Sequence, residues 1–140
     1  MREILFRARK LLDGEWEVGY IVKGRLTYLL TYENIHYMTV SVMGHASVEI
    51  LPVERETVGQ YTGLKDKNGK RIFEGDVVTF KTSVGDFKPC VVEYFNVDAR
   101  FVARREDRCY PMANSFKYEV IGNIHDTPEL IGGVEDAHNT

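Results

Sequence analysis

Cysteine, proline and tryptophan are scarce in this 140-residue chain, and each scarcity narrows what it can be. The two cysteines, Cys90 and Cys109, lie 19 residues apart with no CxxC partner. They define neither a disulfide framework nor a zinc knuckle, and in a reducing compartment they read as half-buried strand thiols. No apolar run approaches the ~20 residues that span a bilayer. Charge interrupts Met1-Arg2-Glu3-Ile4-Leu5-Phe6-Arg7 too early for a secretion signal, so the expected location is the cytoplasm. There is no P-loop, GxGxxG or GxSxG, and Ser41, Ser47, Ser83 and Ser115 sit in no nucleophile context. His36, His45, His125 and His138 have neither i,i+4 nor short-loop spacing, so no metal is expected. The carboxylate pairs Glu54/Glu56 and Glu74/Asp76 read as solvated turns, whereas a catalytic pair needs desolvation to separate its pKa values. No cofactor is expected. With a net charge of −3, the whole molecule also has no electrostatic drive toward nucleic acid or an anionic membrane.

What the chain does have is β-branched and aromatic runs broken by turn residues. Apolar content of 44% and charged content of 28% suit a globular domain, and at this length roughly two-thirds of the unfolded surface can be buried. Residues 2–9 alternate as a strand and close at Leu11-Leu12-Asp13-Gly14. Residues 16–22 and 26–32 form a hairpin pattern around Lys23-Gly24-Arg25. Residues 33–48 fit either a bulged strand or a loop with a short strand. Residues 49–53 form an edge-like strand because Pro52 lacks a ladder donor, and 54–58 suit one helical turn.

The stretch "QYTGLKDKNGKRIFEGDVVTF" (60–80) is dense in turn chemistry. Asn68-Gly69 predicts a two-residue type I′ hairpin, and Gly75-Asp76 turns the chain into 77–80. Gly63 and Gly69 fall where a tight connection needs positive φ, as does Gly75, while Asp66 and Asp76 can accept backbone N–H groups. A calcium reading fails because the alternating oxygen ligands and closing glutamate are missing. Residues 81–89 read as a polar loop, 90–95 and 101–104 as a hairpin around Asn96-Val97-Asp98-Ala99, and 118–121 as a last strand. Thr127-Pro128 opens a short helix, with Thr127 as its cap, and Gly132-Gly133 ends it. The expected architecture is mainly β with some α+β character: an N-terminal β-rich lobe (1–57), a small closed barrel with a short terminal helix (58–131), and a tail (132–140). Closure removes exposed strand edges.

"ETVGQYTGLKDKNGKRIFEGDVV" (56–78), "YEVIGNIHDTPELI" (118–131) and the N-terminal "MREILFRAR" together resemble the YopX family of phage and prophage proteins. The resemblance covers about half the chain. It implies a mostly β protein whose C-terminal part is an SH3-like barrel packed against the N-terminal lobe, assembling into homo-oligomers. It transfers no catalytic residue, because the family carries no established molecular role.

Three function classes are weighed. The leading one is a non-enzymatic, cytoplasmic phage or prophage accessory protein acting through protein–protein contacts, its own oligomer and phage or host partners included. The acidic end after Lys117 and the loop at 63–71, left at +3 by Lys65, Lys67, Lys70 and Arg71 against Asp66, could meet between subunits. Trp16, Tyr20, Tyr28 and Tyr32 could supply either an apolar seam or the N-terminal core. The second class is a nucleic-acid-binding module using that loop and the strand "RFVARREDRCY" (100–110). There Arg100, Arg104, Arg105 and Arg108 interleave with Phe101 and Tyr110. Alternation predicts that Phe101 turns away from the arginines and that these pair with acids, which favours the first class. The third class, a hydrolase or metal enzyme, has no supporting constellation.

Overall fold

The computed structural model describes residues 4–23, 27–32, 48–82, 85–114 and 116–131. Eleven strands follow one another: β1 (Phe6–Arg9), β2 (Trp16–Lys23), β3 (Thr27–Tyr32), β4 (Val48–Pro52), β5 (Gly59–Lys65), β6 (Arg71–Phe73), β7 (Asp76–Thr82), β8 (Gly85–Phe95), β9 (Arg100–Arg105), β10 (Arg108–Pro111) and β11 (Lys117–Asn123). A 3-10 turn, Arg55–Thr57, precedes β5, and residues 129–131 form a short helical turn. The chain is therefore mainly β, and its strands pair in antiparallel ladders. Among the described residues no helix is long and apolar enough to cross a membrane.

Two compact units divide the chain, Glu3–Gln60 and Tyr61–Thr140. In the first, β4-β3-β2-β1 form a meander, and β1 also pairs the start of β5 at Gly59 and Gln60. Pro52 falls on the edge strand β4, where its missing donor is harmless. Ala8, Leu29 and Val53 are buried together, with Phe6, Ile21, Leu51 and Val58 packed on them. Arg7 and Arg9 lie over the Trp16 ring, at 4.8 and 5.8 Å from its centroid. The Arg9 amide donates to the Thr57 hydroxyl and its guanidinium to Glu54, which ties the 3-10 turn to β1. Trp16 and Tyr20 are half-buried here. The side chains of Tyr28 and Tyr32, the connection at 24–26 and the ambiguous stretch 33–47 lie outside the described residues, as do Ser41 and Ser47.

The second unit holds the rest of β5, its partner β6, and a five-stranded sheet ordered β10-β9-β8-β7-β11. Its core is Ile72, Val78, Phe80, Cys90, Val92, Ala103 and Tyr118. Phe80 touches the rings of Phe87, Tyr110, Phe116 and Tyr118 at centroid distances of 4.5 to 6.0 Å. Tyr118 also accepts the Ala113 amide on its hydroxyl, and burial pushes its pKa up.

Several expectations are corrected. Neither ladder closes on itself among the described residues, so the closed barrel gives way to an open sheet. Residues 85–95 are one long strand rather than a polar loop before position 90, because Asp86 and Lys88 are outward positions of a strand whose inward positions are Phe87 and Cys90. β10 is an additional strand. It forms because Glu106, at φ +56, makes a two-residue turn that brings Arg108 opposite Arg105. A side chain at positive φ is strained where glycine is not, so Glu106→Gly should raise unfolding stability by about 0.5–1 kcal/mol in a denaturant titration. β1 starts at Phe6, leaving Ile4 and Leu5 outside it, and residues 2 and 3 of the expected strand lie outside the described residues. Thr127 does not cap the terminal helix with its hydroxyl, which donates to Asn123 O and accepts from Asn123 N. A Cβ built on Gly122 would collide with that hydroxyl and lie 2.6 Å from Leu130 Cδ1. Gly122→Ala should therefore lower stability by about 1–3 kcal/mol, measured by thermal unfolding. The tail at 132–140, with His138, lies outside the described residues, as do His36, His45, Ser83 and Ser115.

Candidate functional site

The 60–80 stretch forms the β5–β6 hairpin and the corner into β7, and its turn residues are absorbed by the backbone. Asp66 N donates to Lys70 O, and Gly69 N donates to Asp66 O, 2.8 and 2.9 Å. Gly69 has φ +83, while Asn68 has no positive φ. This is a longer hairpin loop with glycine at the left-handed position, not the two-residue type I′ turn that Asn-Gly suggests. Asp66 decides the difference. Its Oδ1 accepts from Asn68 N and Lys70 N at 2.8 and 2.9 Å, which holds the loop open for its carboxylate.

The other oxygen, Oδ2, accepts from Val120 N of β11, and Lys67 N donates to Tyr118 O of the same strand. The loop thus lies along β11 on the side away from β7 and uses backbone groups that would otherwise be an exposed sheet edge. Desolvation, the largest single influence on the Asp66 carboxyl, would raise its pKa. The donors Val120, Lys70 and Asn68, with the Lys70 charge, outweigh it and hold the pKa below the ordinary carboxylate value. Asp76 is fully buried, and its Oδ2 accepts Phe73 N at 2.8 Å across the corner. Gly75, at φ +90, donates to Val92 O and accepts from Ile124 N, so β7 enters the sheet beside both β8 and the chain after β11. Gly63 has φ +90 at a register shift between β5 and β6, where the Thr62 hydroxyl donates to Ile72 O and accepts from Leu64 N. The importance of Thr62 was not visible in the sequence, since a threonine in a strand carries no turn signal.

The basic residues separate into three groups. Arg100 pairs with Asp98 at 3.4 Å, and Arg104 is held by both oxygens of Glu93 at 2.8 Å each. Lys67 meets Glu119 at 3.2 Å within one chain, so at least this part of the expected charge complementarity is intramolecular. Lys65, at the end of β5, and Lys70 in the loop are exposed, and Arg71 lies over the Tyr61 ring at 5.5 Å. Phe101 is buried against Tyr94, and Val102 and Ala103 are buried too, so no aromatic stripe runs with the arginines on β9. Arg105 donates to Pro89 O at 2.8 Å.

Lys67 also lines a groove on the five-stranded sheet, and Arg105 and Arg108 line a separate recess. A groove of about 510 Å3 is lined by Lys67, Lys81, Lys117, Asp86 and Glu119, and strand alternation turns Lys81, Asp86 and Lys117 to the face away from the Phe80, Phe87 and Tyr118 rings. A recess of about 330 Å3 adds Lys88, Arg105, Arg108, Glu106 and Tyr110, sharing Asp86 and Phe87 with the groove. Together the two hollows carry six cations and three acids, in a chain whose total is −3. Lys81, Lys88 and Lys117 escaped the sequence reading because they are scattered singly and meet only through strand pairing.

Cys90 is buried at the floor of the recess. Burial pushes its pKa up against the opposing pull of Arg105, which leaves a thiol that donates to Lys88 O. Cys109 is exposed, and both thiols are free. His125 is half-buried beside the Asn123 loop. Among the described residues, no group of three His, Cys, Asp or Glu side chains could hold a metal ion.

The model of the YopX protein family matches residues 17–132. The chain belongs to the YopX family. Among solved structures, protein EF1440 from Enterococcus faecalis is similar, with a TM-score of 0.58 and 25% identity over 94% of this chain and 99% of that one. No curated protein matches. The YopX match spans the hairpin, the corner and β11, and so takes in every contact of Asp66 and Asp76 given above.

Proposed function

We propose that this YopX protein is a non-enzymatic interaction module of phage or prophage origin, working in the host cytoplasm and assembling with its own copies. The observation that carries the reading is the open groove walled by Lys67, Lys81 and Lys117 with Asp86 and Glu119. The titratable groups beneath and beside it support binding rather than chemistry: Asp66 spends both oxygens on backbone donors, and burial disfavours the Cys90 thiolate. The strand order supports an SH3-like arrangement, a four-stranded meander whose fifth strand returns to the first, and such small β folds host contact surfaces. Self-assembly is supported by apolar side chains left in solvent. Leu12 is 94% exposed in the first unit and Val97 83% exposed in the second, near half-exposed Tyr94 and Phe95. Light scattering on a gel-filtration column, over a wide range of concentration, should return a multiple of the chain mass. A strict monomer throughout removes the assembly.

A nucleic-acid-binding role is the second reading, favoured by Lys67 in the groove wall and Arg105 and Arg108 in the recess. It is weakened by Asp86, Glu106 and Glu119 among them, and by the acids that hold Arg100 and Arg104. Phosphate contacts must weaken steeply with salt. A gel-shift titration with single-stranded DNA is expected to show no shift at low salt, and a salt-sensitive shift would promote this reading.

A further inference from the structure

The four arginines of the 100–108 stretch divide by face. Arg100 and Arg104 share one face of β9 with Val102, and each meets a carboxylate, Asp98 and Glu93 respectively. Arg105 lies on the other face with Ala103, and Arg108 of β10 stands directly opposite it. Among the described residues neither of these two makes an ion pair. Arg105 donates to Pro89 O at 2.8 Å, a neutral carbonyl that fixes the guanidinium and leaves its charge whole. Cross-strand partners stand about 4.5–5.5 Å apart at Cβ, where like charges lower sheet stability. Both arginines line the recess of about 330 Å3, on the face that also carries Phe87, Cys90 and Tyr110. Phe87 and Tyr110 meet edge-on there at 4.9 Å, and the Arg105 charge reaches the Cys90 thiol. Of the two acids in the lining, Asp86 stands opposite Lys81 and turns to the other face, and Glu106 sits in the turn between β9 and β10.

We propose that this recess binds a phosphate monoester, its oxygens shared by Arg105 and Arg108 and its organic part against Phe87 and Tyr110. Two guanidinium forks match a tetrahedral oxyanion, since arginine presents paired donors where lysine presents a point charge. A monoester carries close to two negative charges at neutral pH, one for each arginine, and turns their repulsion into a bridge. A phosphodiester carries a single charge and continues along a strand, which calls for further cations in line. The other two arginines of the stretch are already held by acids. The site is separate from the groove that carries the interaction reading, and it stands or falls without it.

The test follows the arginine side-chain N–H signals of the full chain by NMR while inorganic phosphate, phenyl phosphate and glycerol phosphate are titrated at constant ionic strength. The Arg105 and Arg108 signals should shift together and saturate, with inorganic phosphate binding in about the millimolar range. Phenyl phosphate should bind about threefold tighter than glycerol phosphate, because it brings a ring to the rings. Arg108→Ala should weaken inorganic phosphate about tenfold. Its Tm should be no lower than that of the unaltered chain, since the substitution also removes a repulsive pair, and this separates lost contact from lost folding. Arg105→Lys keeps the charge, loses the fork and should weaken phosphate as well. Phosphotyrosine binding tighter than adenosine monophosphate assigns the group to a modified partner protein, and the reverse order assigns it to a nucleotide. Shifts that never saturate, phenyl phosphate no tighter than glycerol phosphate, or affinity unchanged in Arg108→Ala overturns the proposal and leaves the groove reading untouched.

Discussion

Replacing Phe80 by alanine is expected to destabilise the second unit by about 3–5 kcal/mol, the usual range for truncating a buried aromatic. Phe80 is 3% exposed and lies at the centre of five rings. Its loss removes a face-stacked partner from Phe87, edge or tilted partners from Tyr110 and Tyr118, and a second stacked partner from Phe116. Urea unfolding measures the loss directly, as a lower midpoint with the slope preserved. Conservative Phe80→Leu should recover a large part of it, because volume is restored even though ring geometry is not. If Phe80→Ala unfolds within 1 kcal/mol of the unaltered chain, roughly the centre of the distribution for ordinary point mutants, then these rings are not the core.

The second large effect belongs to Asp66. Truncation to alanine leaves the amides of Asn68, Lys70 and Val120 without the carboxylate that accepts them, in a residue only 6% exposed. Unsatisfied buried donors cost about 1–3 kcal/mol each, and exposed loop amides recover part of that through water. A net loss of about 3 kcal/mol at neutral pH is expected. It should appear first as faster amide exchange at Val120 and in the 66–70 loop, because the carboxylate joins the two. Unchanged exchange there would mean that the loop is held by packing alone.

How far the sequence could be read follows from the range of its signals. Local chemistry was legible: the strands around 16–32, the short turn before Val58, the reversal at 96–99 and the bending role of glycine and aspartate in 60–80 all lie within a few residues of their cause. The form of the hairpin loop was not. Asn68-Gly69 carries a strong two-residue turn signal, yet the bond from Val120 N draws the Asp66 carboxylate toward a strand more than fifty residues away, and the loop adjusts to it. β10 was missed because its turn depends on Glu106 adopting a backbone conformation that glutamate rarely takes. The closed barrel was inferred from the need to cover edges, and the edge of β11 is covered instead by the Lys67 amide and the Asp66 carboxylate. Of the candidate contact residues, the charge run at 100–108 stood out in the sequence, but two of its arginines are held by acids. Lys81, Lys88 and Lys117 form a surface only once β7, β8 and β11 are paired.

The central claim is that the acids of the YopX motif hold backbone, leaving contact to the surface groove, and the pH dependence of Asp66 tests it most directly. Because its folded pKa lies below the unfolded value of about 3.9, the folded state binds fewer protons. The stabilisation is therefore complete above that value and is lost as pH falls through the folded pKa. Urea unfolding of the unaltered chain and of Asp66→Asn, from neutral pH down to about pH 3, should show the difference between them largest at neutral pH and shrinking toward acid. A difference that stays constant across that range, or an Asp66→Asn chain as stable as the original at neutral pH, would contradict the account.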